Sequence, residues 1–139
     1  MAVTPDGGGH VRLTSPVAIE WQAGHEYVLI AVRRVLDAGV GVTLSLPDDG
    51  PERERVRFTE IDLDLLDVVT HDGGPADIAL VAPLVAAAAP AALPPGPVVV
   101  TDVGGLPALA ADRTDSRVVP PRDPAALAAG IVELTGTGA

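Results

Sequence analysis

Two pairs of neighbouring residues, His25-Glu26 and His71-Asp72, set an imidazole beside a carboxylate, with His10 in reserve. That composition suits an acid-base pair or part of a metal site. Neighbours on a helix point in different directions, and no two histidines have the spacing of a known metal motif, so solvated or helix-start residues are the commoner outcome for both pairs. No metal site is expected. Asp62, Asp64 and Asp67 in EIDLDLLDVV resemble a carboxylate cluster, but their alternation with Ile61, Leu63 and Leu65 fits a solvated face opposite an apolar one. Glu52-Arg53-Glu54-Arg55 carries the mixed charge of an exposed helix. Asp102 and Gly104-Gly105 follow an apolar run, where backbone N–H groups can admit a phosphate. A tight turn is the commoner use of a lone Gly-Gly.

Composition limits which of these chemistries the chain can support. The 139 residues suffice for one domain with a moderate core. Phe, Tyr and Trp occur once each within a hydrophobic fraction of 47%, so the core must be built from Val, Leu, Ile and Ala, which suits parallel strands covered by helices. A formal charge of -10, with pI near 4.4, argues against nucleic acid and anionic membrane as partners. With no cysteine there is no disulfide, thiolate metal site or cysteine nucleophile. The first residues lack the plan of a signal peptide, and no apolar run approaches the roughly 20 residues that span a bilayer. A soluble cytoplasmic protein is expected.

The elements that must position these side chains alternate between strand and helix. Residues 1–9 read as a flexible leader, 10–135 as the folded domain and 136–139 as a tail. A first strand is expected over Val11 to Ile19, interrupted or ended near Pro16, then a helix from His25 to Ala38 stopped by Gly39. Val42 to Leu46 reads as a strand, and Pro51 and Glu52 open a second helix reaching about Ile61. Strands are expected at Val68 to Thr70, Asp77 to Ala82, Pro97 to Thr101 and Arg117 to Val119. The prolines at 90, 94 and 95 limit LVAAAAPAAL to one or two helical turns. Leu106 to Asp112 reads as a short helix, and Asp123 caps a last helix that starts at Pro124 and runs through Leu134. The fold class is α/β: a single Rossmann-like domain with a mostly parallel sheet flanked by helices.

Several of these phrases together resemble one family. TDVGGLPALAADRTDSRVVPPRDP, ADIALVAP and GHEYVLIAVRRVLDAGVGVTLSLPDDGPERERV resemble the C-terminal, donor-binding Rossmann-like domain of family-4 glycosyltransferases of the GT-B type, in truncated and degenerate form. The likeness extends over roughly residues 11 to 135. It implies a cleft that takes a nucleotide sugar, with Trp21 in the loop facing that cleft as a stacking platform or a core cap. Gly24, Asp102, Gly104 and Gly105 are further candidates for ligand contact.

The family's charged residues do not carry over. Its Arg and Lys ahead of the first helix, which neutralise the departing diphosphate, fall on Ala18 and Ala23; the nearest cation in sequence is Arg12. Its two glutamates eight residues apart have no counterpart in LVAAAAPAALPPGP, the glutamate after Gly-Gly-x-Pro is Ala108, and two family glycines are Asp48 and Ser116. The resemblance therefore implies a catalytically degenerate domain acting as an accessory or binding protein without a cofactor. Two alternatives stay open. The chain could be the donor-binding subunit of a split hexosyltransferase needing a partner half, or the vacated cleft could serve a new small-molecule or catalytic role through His25, Glu26, His71 or Asp72. The shortened Ala/Pro segment suggests apolar sheet surface left uncovered, and with it a homodimer or a protein partner.

Overall fold

A computed structural model describes residues 11–16, 24–47, 50–71, 76–113 and 115–135. Its strands are β1 (Val11–Thr14), β2 (Val42–Ser45), β3 (Val69–Thr70), β4 (Ile78–Val81), β5 (Val98–Thr101) and β6 (Ser116–Val119). They form one sheet in the order β3-β2-β1-β4-β5-β6, and every pairing is parallel. The helices are α1 (His25–Asp37), α2 (Arg53–Asp62), α3 (Leu106–Ala110) and α4 (Pro124–Thr135). This is the single Rossmann-like α/β domain expected from the alternation of elements.

β1 stops at Thr14, close to the end expected near Pro16, for a reason local to the ladder, and 17–19 lie outside the described residues. Thr14 lies opposite Ser45 at the end of β2, and the Ser15 N–H donates to the Ser45 carbonyl at 3.0 Å. Pro16, next in line, has no N–H to continue the pairing. Strand alternation then decides which face each residue serves. Val11, Leu13, Val42, Leu44, Ile78, Leu80 and Val99 point into the larger core with Val28, Leu29, Val32 and Val35 of α1 and Leu127, Ile131 and Leu134 of α4. Each such side chain contributes about 1.5–3 kcal/mol when fully buried. α4 packs directly on α1, and Asp123 caps it by accepting from the Ala126 N–H at 3.0 Å.

The opposite face is divided. Ala79, Val81, Val98 and Val100 of the central strands β4 and β5 form a second cluster with Leu106 and Ala110 of α3, and Ala89, Leu93 and Val103 pack against it. Toward β1 and β2 the same face carries Arg12, Thr14 and Thr43, all partly exposed. Over β4 and β5 the apolar strip is therefore covered and the stretch toward β1 and β2 is polar, while at the β6 edge of this face Val118 is left exposed.

The β4–β5 connection does this covering without an α-helix. Between Pro83 and Pro97 it holds only a 3-10 turn, Ala86–Ala88. Arg113 fixes its far end, donating to the carbonyls of Leu93 (3.2 Å), Pro94 (2.6 Å) and Gly96 (2.9 Å).

Candidate functional site

The sheet order reverses between β1 and β4, the kind of switch point at which an open α/β sheet forms a crevice at the carboxyl ends of its strands. Gly24 fixes how close the walls come. It has φ 80, and a Cβ there would collide with the carbonyl oxygen of Ala82, just past β4. Only glycine accommodates both conditions. The start of α1 is thereby pressed against the end of β4.

A cavity of about 320 Å³ lies in front of this junction. α1 and its preceding turn contribute Gly24, His25, Glu26 and Tyr27; α2 and its cap contribute Glu52, Arg55 and Val56; Leu84 follows β4 and Arg122 follows β6. The Arg55 Nε lies 2.6 Å from Glu26 Oε1, an ion pair that ties α2 to α1 across the mouth. Both side chains are well exposed, so the pair contributes little to stability. Arg122 is exposed and its side chain has no hydrogen bond or ion pair among the described residues. Its backbone is left-handed, φ 58, an unfavourable conformation for a residue with a Cβ.

The structure separates the sequence candidates. Gly24, His25 and Glu26 line the cavity, and His25 is buried at the first position of α1. His71 lies elsewhere, after β3, beside a smaller cavity of about 260 Å³ lined also by Arg53, Glu54 and Arg57. Its Nδ1 is 3.1 Å from the Pro47 carbonyl and its Nε2 is 3.3 Å from Glu60 Oε2, so both ring nitrogens face protein oxygens. Asp102, Gly104 and Gly105 are exposed at the end of β5 and do not line the larger cavity. Gly104, φ 54, would place a Cβ 3.3 Å from the Ala86 Cβ, so it admits the 3-10 turn at close range. His10, Ala18, Trp21, Ala23, Asp48 and Asp72 lie outside the described residues.

Other expectations are corrected or sharpened. Arg12 sits in the amino half of β1, where its NH2 group lies 3.0 Å from Asp77 Oδ1, away from the carboxyl edge. Hydrogen bonding from the Arg12 side chain holds the Asp77 carboxyl below the usual carboxylate range. The cations at the cavity are Arg55 and Arg122 instead. Asp62, Asp64 and Asp67 are exposed as expected, but Ile61 is exposed too, so the apolar face there begins at Leu63. Ser116 opens β6 and its hydroxyl donates to the carbonyls of Ala110 (3.1 Å) and Arg113 (3.2 Å), tying the strand to the end of α3. Among the described residues no group of three His, Cys, Asp or Glu could hold a metal ion, and no helix is long and apolar enough to cross a membrane.

Strand order, parallel pairing and a crevice at the switch point define a doubly wound, Rossmann-like fold. In particular, the domain has the fold of one part of the GT-B glycosyltransferases. It superposes on sucrose-phosphate synthase from Thermosynechococcus elongatus with TM-score 0.74 at 23% identity, over 91% of this chain and 36% of that one. For Anabaena HepE in complex with UDP the TM-score is 0.75 at 16% identity, over 94% and 40%. For the pneumococcal O-GlcNAc transferase GtfA in complex with UDP and GlcNAc it is 0.74 at 15% identity, over 99% and 31%. The chain thus spans about a third of the length of these structures, and at such identities the likeness is one of fold. No protein-family model and no curated protein matches the chain.

Proposed function

We propose that this chain is a catalytically degenerate glycosyltransferase-like domain that works as a binding or accessory protein, with a sugar nucleotide as the ligand class of its cleft. One observation carries the proposal: the β4–β5 connection, which follows the strand bordering the cleft, contains no acidic residue from Pro83 to Pro97 and no α-helix. Nothing on it can grip a ribose through a carboxylate or sit as a charge beside a reacting sugar. The cavity also offers little net positive charge to a departing diphosphate, because Arg55 is neutralised by Glu26 and the lining holds Glu52 as well as Arg122. Sugar transfer depends on preorganised charge at that point.

Binding needs less than transfer does. The cavity volume lies at the lower end of the range for small-molecule sites. The matched HepE and GtfA structures hold UDP, and GtfA also holds GlcNAc. Calorimetric titration with UDP, GDP and dTDP and their sugars is expected to give millimolar or tighter binding of at least one, with no sugar released or transferred by the purified chain. Detectable transfer would end the degenerate reading. A flat titration with every nucleotide would remove the ligand and leave a scaffold for another protein.

A second reading rests on the fraction of the matched structures that the chain spans. A separate polypeptide resembling their remaining part would close the cleft and supply the lost charges in trans. Turnover recovered on mixing with such a partner supports it; activity unaffected by deletion of this chain excludes it.

A further inference from the structure

Glu60 is fully buried on α2, an unusual place for a carboxylate unless a partner holds it. Its Oε2 meets His71 Nε2 at 3.3 Å, while its Oε1 has no hydrogen bond and lies 3.8 Å from an Arg57 guanidinium nitrogen. The other ring nitrogen of His71, Nδ1, meets the Pro47 carbonyl oxygen at 3.1 Å. A carbonyl oxygen only accepts, so that contact is a hydrogen bond only when Nδ1 carries a proton. In a neutral ring Nε2 then presents a lone pair, and an ionised Glu60 presents another. Two lone pairs repel; one additional proton, on either Nε2 or Oε2, converts the contact into a hydrogen bond.

We propose that Glu60 and His71 hold a single shared proton and, through it, act as positioning residues for α2. The proton joins α2 to the segment after β3, and the Pro47 bond adds the exit of β2. α2 in turn carries Arg55 and Val56 into the larger cavity. The other charged groups beside the pair are Arg57 and Arg53, which favour the carboxylate, and Glu54, which opposes it. Removing the proton strands a buried carboxylate with only the more distant Arg57, a costly state. The folded protein then holds one proton that a neutral histidine and an ionised glutamate in the unfolded chain do not. The inference is independent of what the cleft binds.

NMR on the full chain tests it at neutral pH by reading the His71 ring nitrogens and the Glu60 carboxyl carbon together. An imidazolium beside a carboxylate, or an Nδ1–H ring beside a protonated carboxyl, is the expected result. A neutral ring beside an ionised Glu60 would overturn the proposal. Glu60→Gln supplies an amide donor to Nε2 without the extra proton, so it should keep the contact. At neutral pH α2 amide protection in Glu60→Gln should match wild type, whereas Glu60→Leu, which offers Nε2 no partner, should lose it; equal protection in all three would overturn the proposal. If Glu60→Gln does not fold, the NMR measurement on wild type decides alone.

Discussion

Arg122 combines an exposed guanidinium at the mouth of the cavity with a left-handed backbone. That conformation costs about 1–2 kcal/mol for a residue with a Cβ. Glycine would relieve the strain but add about 0.5–1 kcal/mol of unfolded-chain freedom. Arg122→Gly is therefore expected to raise stability by about 0–1.5 kcal/mol in denaturant unfolding while weakening UDP binding. Asp64, φ 57 and remote from the cavity, is the matched control: Asp64→Gly should show a similar stability change and unaltered UDP binding. Asp77 provides a second prediction. Its folded carboxyl titrates below the ordinary value because Arg12 donates to it, so its contribution is present above the unfolded value and is lost as pH falls through the folded one. In Arg12→Ala the Asp77 titration, followed by carboxyl NMR, should move up and the acid-side loss of stability should shrink.

Elements were more legible than the contacts between them. The run from His25 to Ala38 gave a helix ending one residue sooner, and Asp123-Pro124 marked the start of α4, because periodicity and caps are local signals. Gly24 and Glu26 were also named from the sequence. Arg55 and Arg122 escaped that reading because they lie on different elements and meet only when the sheet brings α2 and the β6–α4 turn to one edge. Glu60 did leave a trace, four residues after buried Val56 and so on the inward side of α2. The β4–β5 connection was expected to be short of helix, but its anchor was hidden, since Arg113 reaches back nearly twenty residues to hold it. Arg113→Ala should cost about 1–3 kcal/mol by stranding partly buried carbonyls. Thermal unfolding measures that cost, and limited proteolysis between Pro83 and Pro97 should accelerate; an unchanged cleavage rate would deny the clamp.

For the molecule as a whole, the division of the second sheet face bears on self-association. The apolar strip over β4 and β5 is already buried, and the partly exposed surface over β1 and β2 carries Arg12, Thr14 and Thr43. A homodimer remains a proposal for light scattering to decide; if a dimer forms, serine at Val81 or Val100 should disrupt folding rather than association alone. A strict monomer at every concentration would remove it.

The packing of α4 on α1 has a consequence for how the protein comes to exist in the cell. α1 is made before α4 during synthesis, which leaves Val28, Val32 and Val35 waiting for apolar partners that include residues near position 130. A nascent chain stalled before Pro124 therefore exposes a greasy half-core on the ribosome, available to chaperones or to neighbouring chains, until α4 emerges and closes it.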